Sequence, residues 1–303
     1  MAKIAVFYYT QTGQTLQIAR SVCKPLEDMG HAVVYKAIVP EQPLPYPCSG
    51  KAFFEVFPES REAIPCKINT IDASDVTDAD LVVIAWQVWF LSPSLPFHAF
   101  FQHAGIRQYL KGKKIITVTG CRNMWVTAHA KVQSYIGDAG GKAAGNIVLQ
   151  DRHHNLVSVM TTVRWLLYGK KEKSRLLPAA GVSDADLKHS AVFGKIIANT
   201  LHSGEWNNLQ KQLMAAKAIR YKPAIAFMEK TGHRIFGVWS KFIRRNSKNN
   251  AVRREFYLKL FKYYLFVVLY LVAPVGLIFF YLALPFRHHA IKKDKAKILT
   301  FDH

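Results

Sequence analysis

The chain predicts a doubly wound α/β domain, then a basic helical extension that carries one long apolar helix. Three observations predict this. Short β-rich runs alternate with helix-length stretches from Lys3 to Asp151, the strand signal stops after Asp151, and 24 uncharged residues run from Tyr263 to Phe286.

Ile4–Tyr9 is an apolar run of the kind buried in a parallel sheet. Thr15–Met29 follows as a helix, with Leu16, Ala19, Val22, Cys23 and Leu26 on one stripe. Ala32–Ile38, Leu81–Trp86, Lys114–Thr119 and Asn146–Gln150 supply four more strands. Leu95–Tyr109 and Trp125–Gly137 are the helices between the last three. The second crossover is abnormal, because residues 40–75 hold six prolines and cannot sustain a long helix. Tyr46, Phe53, Phe54 and Phe57 predict that this segment either covers a sheet edge or folds onto an apolar partner. Beyond Asp151, Leu156–Leu167 reads as helix, and Ser183-Asp184-Ala185-Asp186 opens another that reaches about Leu201. Residues 205–245 continue as amphipathic helix, broken near Pro223. The boundaries expected are 1–151 for the sheet domain, 152–255 for the basic extension, 256–287 for the membrane helix and 288–303 for a basic tail.

The charge is unevenly placed. Residues 1–151 carry 14 bases and 12 acids, whereas residues 152–303 carry 27 bases and 8 acids. This excludes a uniformly basic nucleic-acid binder and directs the second half at an anionic lipid surface. The uncharged run is long enough to span a hydrocarbon core of about 30 Å, or to enter one and bend at Pro274. Its flanks are Lys241, Arg244, Arg245, Lys248, Arg253, Arg254, Lys259 and Lys262 on one side, and Arg287, Lys292, Lys293, Lys295 and Lys297 on the other. His288 and His289 follow the run as interfacial anchors. The bias favours the cytoplasmic face of the cell membrane, with single-pass or monotopic attachment. The four cysteines form no C-x-x-C pair, and the first apolar run is too short for a signal peptide, so reduced thiols are expected.

The sharpest local signal is the turn after the first strand, Thr10-Gln11-Thr12-Gly13-Gln14-Thr15. Hydroxyls and backbone amides at a helix N-terminus cradle a phosphate, and Gly13 lets the backbone approach closely. With no lysine, this is not a nucleotide-triphosphate loop. Two more loops leave the third and fourth strands. The first, Gln87-Val88-Trp89-Phe90, offers aromatic faces; the second, Gly120-Cys121-Arg122-Asn123, offers a guanidinium and an amide. His129, one helical turn past Trp125, is either a proton-transfer group or a structural histidine. Asp151-Arg152-His153-His154 is crowded with potential metal ligands but lacks the spacing of a metal site; a proton donor or a structural pair is expected there.

The turn Thr10-x-Thr12-Gly13-x-Thr15 resembles the flavodoxin phosphate signature for flavin mononucleotide (FMN). Residues 87–96 are similar to the aromatic loop of flavodoxin-like quinone and flavin reductases. That resemblance implies that Trp89 or Phe90 stacks on the ring and that the amides of Gln87 to Phe90 serve its polar edge. Arg122 would then stabilise negative charge on the reduced ring or on a substrate oxygen. Read together, Gly120–Trp125, Gly145–Asn155, Arg164-Trp165 and Gly169-Lys170-Lys171 resemble the dialkylresorcinol condensing enzyme family, also described as flavin-dependent aromatases. This implies non-covalent FMN, oxidation of a dialkyl cyclohexanedione to a dialkylresorcinol, and a ketosynthase partner of the same pathway. Three alternatives stay open: a NAD(P)H-dependent quinone or flavin reductase, an electron carrier, and a true condensing enzyme with Cys121 as nucleophile.

Overall fold

The computed structural model describes residues 1–285, 291, 292 and 294–296. Five strands, β1 (Lys3–Tyr8), β2 (Ala32–Ala37), β3 (Leu81–Trp86), β6 (Lys114–Cys121) and β7 (Lys142–Gln150), form one parallel sheet in the order β2-β1-β3-β6-β7. Between β3 and β6, a short antiparallel hairpin joins β4 (Val88–Trp89) to β5 (Ser92–Pro93). The sheet order is the flavodoxin-like arrangement, with its switch point between β1 and β3. The sheet domain predicted from the sequence is present, with strand ends within a few residues of expectation.

Helices cover both faces. α1 (Gln14–Asp28) lies on one side, and α4 (Leu95–Gln102), α5 (Ala104–Leu110) and α6 (Val126–Asp138) lie on the other. The single helix expected over Leu95–Tyr109 is two, because His103 leaves the helical region (φ −71°, ψ 124°). The proline-rich crossover contains two short helices, α2 (Gly50–Glu55) and α3 (Phe57–Arg61).

The basic extension does not stand apart from the sheet. α7 (Asn155–Tyr168) leads through a loop to α8 (Asp184–His189), α9 (Ala191–Ser203) and α10 (Trp206–Ala215). Ser183 caps α8 as its sequence predicts, its Oγ accepting from the Asp186 amide at 3.2 Å. Phe193, Ile197, Leu209 and Leu213 join α1 in the core beneath β1, β3, β6 and β7. α10 also blunts the sheet edge: the Gln210 side chain accepts from the Asn146 amide (2.9 Å), and Ala218 just beyond accepts from the Val148 amide (2.9 Å).

α11 (Pro223–Asn246) packs against α3 and α6, and α12 (Ala251–Val267) returns antiparallel beside it. A π-helical turn, Val268–Val272, joins α12 to α13 (Ala273–Leu282). Pro274 has no amide proton to give the Tyr270 carbonyl, which accounts for a widened turn at this point. Among the described residues, Ala251–Leu282 is the one helix long and apolar enough to cross a membrane; only 6% of its most apolar stretch is buried. Arg287, His288, His289, Lys293 and Lys297, counted above as a basic flank and anchors, lie outside the described residues.

The proline-rich segment folds onto α11 and α12. Phe57 stacks on Phe261 with centroids 3.9 Å apart and planes 3° from parallel. Arg254 pairs with Glu55 and with Glu59, the latter at 2.6 Å, and Ser240 Oγ donates to Glu62 at 2.6 Å. Of the two readings the sequence allowed, the apolar-partner one is seen.

The closest helix contact yields a prediction. A Cβ at Gly194 on α9 would lie 2.0 Å from the Val22 carbonyl oxygen of α1, a backbone atom that cannot swing aside. Gly194→Ala should therefore cost about 2–3 kcal/mol by overpacking, read as a lower denaturation midpoint in urea.

Candidate functional site

Three loops leave the carboxyl ends of β1, β3 and β6 at the switch point, where open α/β sheets form their ligand crevice. In the first loop, Gly13 takes a left-handed conformation (φ 85°) with no atom within 4 Å of a would-be Cβ. No side chain caps α1. Thr10 Oγ1 is buried and has no hydrogen-bond partner among the described residues. An orphaned hydroxyl beside an open glycine and an uncapped helix end matches the donor set that a phosphate requires. Thr12 is half-buried and Thr15 is buried.

The glutamines of this loop do other work. Gln11 Nε2 donates to the carbonyls of Leu44 (2.9 Å) and Pro45 (3.1 Å), while its Oε1 accepts from the Tyr9 hydroxyl (2.5 Å). Gln14 Oε1 accepts from the Val182 amide (3.0 Å), and its Nε2 donates to the Val182 carbonyl (3.1 Å). These side chains therefore tie the turn to the proline-rich segment and to the loop before α8, leaving the Gln14 backbone amide as a ligand donor on offer.

The second loop is locked to the first, because Gln87 Oε1 accepts from the Gln11 amide at 3.2 Å. Val88 packs against the cluster that holds Trp125, Val126 and Val148. Trp89 is half-buried and meets Tyr9 edge-on at 5.9 Å. Phe90 is turned into the cluster of Phe53 (4.8 Å) and Phe57 (5.1 Å) by a left-handed backbone (φ 49°). Of the two predicted stacking rings, the structure thus places Trp89 beside the first loop and Phe90 against the proline-rich segment.

In the third loop, Gly120 packs over Ile18 of α1. Arg122 Nη1 donates to both the carbonyl (3.1 Å) and Oδ1 (2.7 Å) of Asn155, and Asn123 Nδ2 donates to the same Oδ1 (2.7 Å). Burial pushes the Arg122 guanidinium down to about 10, against Cys121, Asp151 and Tyr270, which favour its charged form. Asn123 Oδ1 is buried and lacks a partner among the described residues. Burial, then the Glu229 charge, holds the Cys121 thiol well above its ordinary range despite Arg122, an environment opposed to a thiolate nucleophile.

His129 does not share this position. Its ring is 2% exposed, centred 6.2 Å from Trp86 and 5.6 Å from Trp125, in the layer between the sheet and α6. His153 has the more open geometry. Asp151 is buried, accepting from His153 Nδ1 (2.7 Å) and the His153 amide (2.9 Å) on one oxygen and from Ser158 Oγ (2.7 Å) on the other. With Nδ1 committed to the carboxylate, proton exchange falls to Nε2, the arrangement of a carboxylate-oriented base.

Sequence reasoning missed Glu229. This carboxylate on α11 is 0% exposed and accepts from the Trp125 amide (3.0 Å), the Thr127 amide (2.7 Å) and Thr127 Oγ1 (2.8 Å). It caps α6 from another element, immediately after the third loop. Burial raises its pKa while the Thr127, Val126 and Trp125 donors draw it back. Its partners lie more than 100 positions away in sequence, so no local capping pattern marks it.

No family model matches the chain, and no curated protein matches it. Solved structures do resemble it. A flavoprotein in complex with FMN from Lactobacillus acidophilus NCFM is 14% identical, over 49% of this chain and 93% of that one, with a TM-score of 0.40. A flavodoxin from Streptococcus pneumonia TIGR4 is 14% identical over 64% and 96%, with a TM-score of 0.37. The azoreductase AzrA is 12% identical over 64% and 99%, with a TM-score of 0.36. It is the strand order described above that assigns the flavodoxin-like fold.

Removing the cap tests how the site is held. Glu229→Ala leaves two backbone amides without their acceptor, while Thr127 Oγ1 keeps the Leu91 carbonyl, and should cost about 2–3 kcal/mol in denaturant unfolding. Glu229→Gln, which keeps one oxygen acceptor, should recover part of that loss.

Proposed function

We propose that the chain is a membrane-associated, FMN-dependent oxidoreductase, and specifically the aromatase that converts a dialkyl cyclohexanedione to a dialkylresorcinol. The observation that carries the cofactor is the turn Thr10–Thr15 at the switch point, with its orphaned Thr10 hydroxyl and open Gly13. Thr10, Thr12 and Thr15 hydroxyls, with the amides of the turn, would hold the phosphate, while Trp89 and the 120–123 loop would border the ring. Bound FMN supplies two-electron redox chemistry.

The protein's own share is positioning and proton handling. His153, held by Asp151, removes an acidic proton from carbon next to the substrate carbonyls. Arg122 and Asn123, fixed by Asn155, donate to the oxygen on which negative charge then grows. A twin-alkyl product is poorly soluble, and the exposed apolar helix Ala251–Leu282 provides contact with the phase in which it resides. The basic residues before this helix suit an anionic cytoplasmic leaflet.

Protein purified in detergent should be yellow, and anaerobic addition of a dialkyl cyclohexane-1,3-dione should bleach it. Bleaching by NAD(P)H alone would instead assign a quinone or flavin reductase. Replacing Thr12 and Thr15 together by Ala removes two hydroxyl donors worth roughly 1.5–3 kcal/mol each, and should release the flavin on gel filtration from a folded protein. Arg122→Ala should slow single-turnover bleaching by roughly a hundredfold or more and weaken flavin binding less. An unaltered rate would remove Arg122 from the chemistry.

A further inference from the structure

A second cavity, of about 210 Å³, opens beyond the end of β7 and shares no residue with the three loops. Its walls are cationic and come from three separate places. Arg152 follows β7, His189 ends α8, and Lys217 and Arg220 belong to the connection between α10 and α11. Asp186 is the one carboxylate in the lining, and it is already engaged: it pairs with Arg152 and accepts from Ser183 Oγ at 2.9 Å. Neither Lys217 nor Arg220 has a carboxylate partner among the described residues. Val148, Leu149 and Phe193 give the cavity an apolar, buried floor beneath these exposed cations.

The cations lie near enough to repel one another. Arg220 disfavours the charged form of Arg152, after burial has done so. The backbone at Lys217 and Ala218, just before Arg220, is pinned. The Ala218 carbonyl accepts from the β7 amide of Val148 (2.9 Å), and the amides of Lys217 and Ala218 close the end of α10 on Met214 (3.0 Å) and Leu213 (2.9 Å). Lys217 itself adopts φ 64°, at the helix-ending position where glycine is usual. A lysine there is conformationally strained, and it lines a cavity whose one carboxylate, Asp186, is already paired with Arg152.

We propose that this cavity is a binding site for a phosphate-bearing small molecule, with Arg220 and Lys217 as its principal ligands and Arg152 as a third. Guanidinium groups recognise phosphate oxygens in a bidentate manner, and the apolar floor suits the organic part of a phosphate ester. The site is independent of the flavin proposed above.

The test uses the full chain in detergent and inorganic pyrophosphate as probe, titrated calorimetrically at constant ionic strength set with potassium chloride. Saturable binding is expected, with no loss of bound flavin colour. Arg220→Ala should weaken it tenfold or more. Lys217→Gly should also weaken it while raising the unfolding temperature, because glycine relieves the strain; a purely structural lysine would give the second change without the first. Binding that vanishes at matched ionic strength, survives intact in Arg220→Ala, or displaces flavin would overturn the proposal. Flotation with phosphatidylglycerol vesicles distinguishes the source of the phosphate. Vesicle binding that pyrophosphate competes away, and that Arg220→Ala weakens equally, identifies a lipid headgroup; vesicle binding indifferent to pyrophosphate identifies a free phosphate compound.

Discussion

The site's architecture turns on a buried carboxylate at the start of α6. Glu229 satisfies two backbone amides and one hydroxyl just after the third loop, and it does so from α11. Desolvating a carboxylate is costly, so this contact persists only because helix-end donors meet it from within hydrogen-bonding distance. The same helix also reaches the second loop. His233 Nδ1 donates to the Leu91 carbonyl (3.2 Å), which accepts from Thr127 Oγ1 as well (3.0 Å). Leu91 is held in a left-handed backbone (φ 61°) at the tip of the β4–β5 hairpin, a conformation that needs such external support. Two of the three loops at the switch point are therefore shaped by an element that the sheet domain does not contain.

The proline-rich segment closes the other side of this arrangement. Its prolines prevent a long helix, yet Phe57 and Phe54 become the floor on which Phe261 of α12 rests. Arg61 donates twice to the His233 carbonyl on α11 (2.9 and 3.1 Å), one residue region serving both contacts. Ser60 and His98 tie the segment to α4, with His98 Nε2 donating to the Ser60 carbonyl at 2.9 Å. The apolar helix is consequently continuous with a buried aromatic cluster, and its attachment to the sheet domain is a packed interface in place of a flexible linker.

Most of the sheet was legible because each strand is a local event. Leu81–Trp86 is buried at every position, and a six-residue apolar run between polar turns declares itself. The phosphate-type turn was equally legible, since strand, hydroxyls, glycine and helix are contiguous. What escaped depended on distant partners. Gln14 looks like a ligand donor until Val182 takes both ends of its amide, and Phe90 looks like a stacking ring until Phe53 and Phe57 are in place. His129 sits one turn past Trp125, but whether that turn faces the crevice or the core depends on how α6 rolls on the sheet; Trp86 and Trp125 receive it. The break at Ser190 between α8 and α9 has no proline or glycine to announce it.

The polar end of the sheet shows the same division of labour at the level of chemistry. Gly120–Asn123 is the flavodoxin-like loop, yet its guanidinium and amide are both oriented by Asn155, the first residue of α7. Asp151, at the end of β7, is bonded through its amide to the Cys121 carbonyl (3.0 Å), through one carboxylate oxygen to His153 and through the other to Ser158 of α7. A buried carboxylate with both oxygens engaged is a fixed point, and it sets the direction of the half-exposed imidazole. A bare five-strand domain ending near Asp151 would lose the Val182 contacts that hold Gln14 in the turn as well as Asn155, which orients Arg122 and Asn123. The turn after β1 and the loop after β6 thus both take part of their shape from the chain that follows β7.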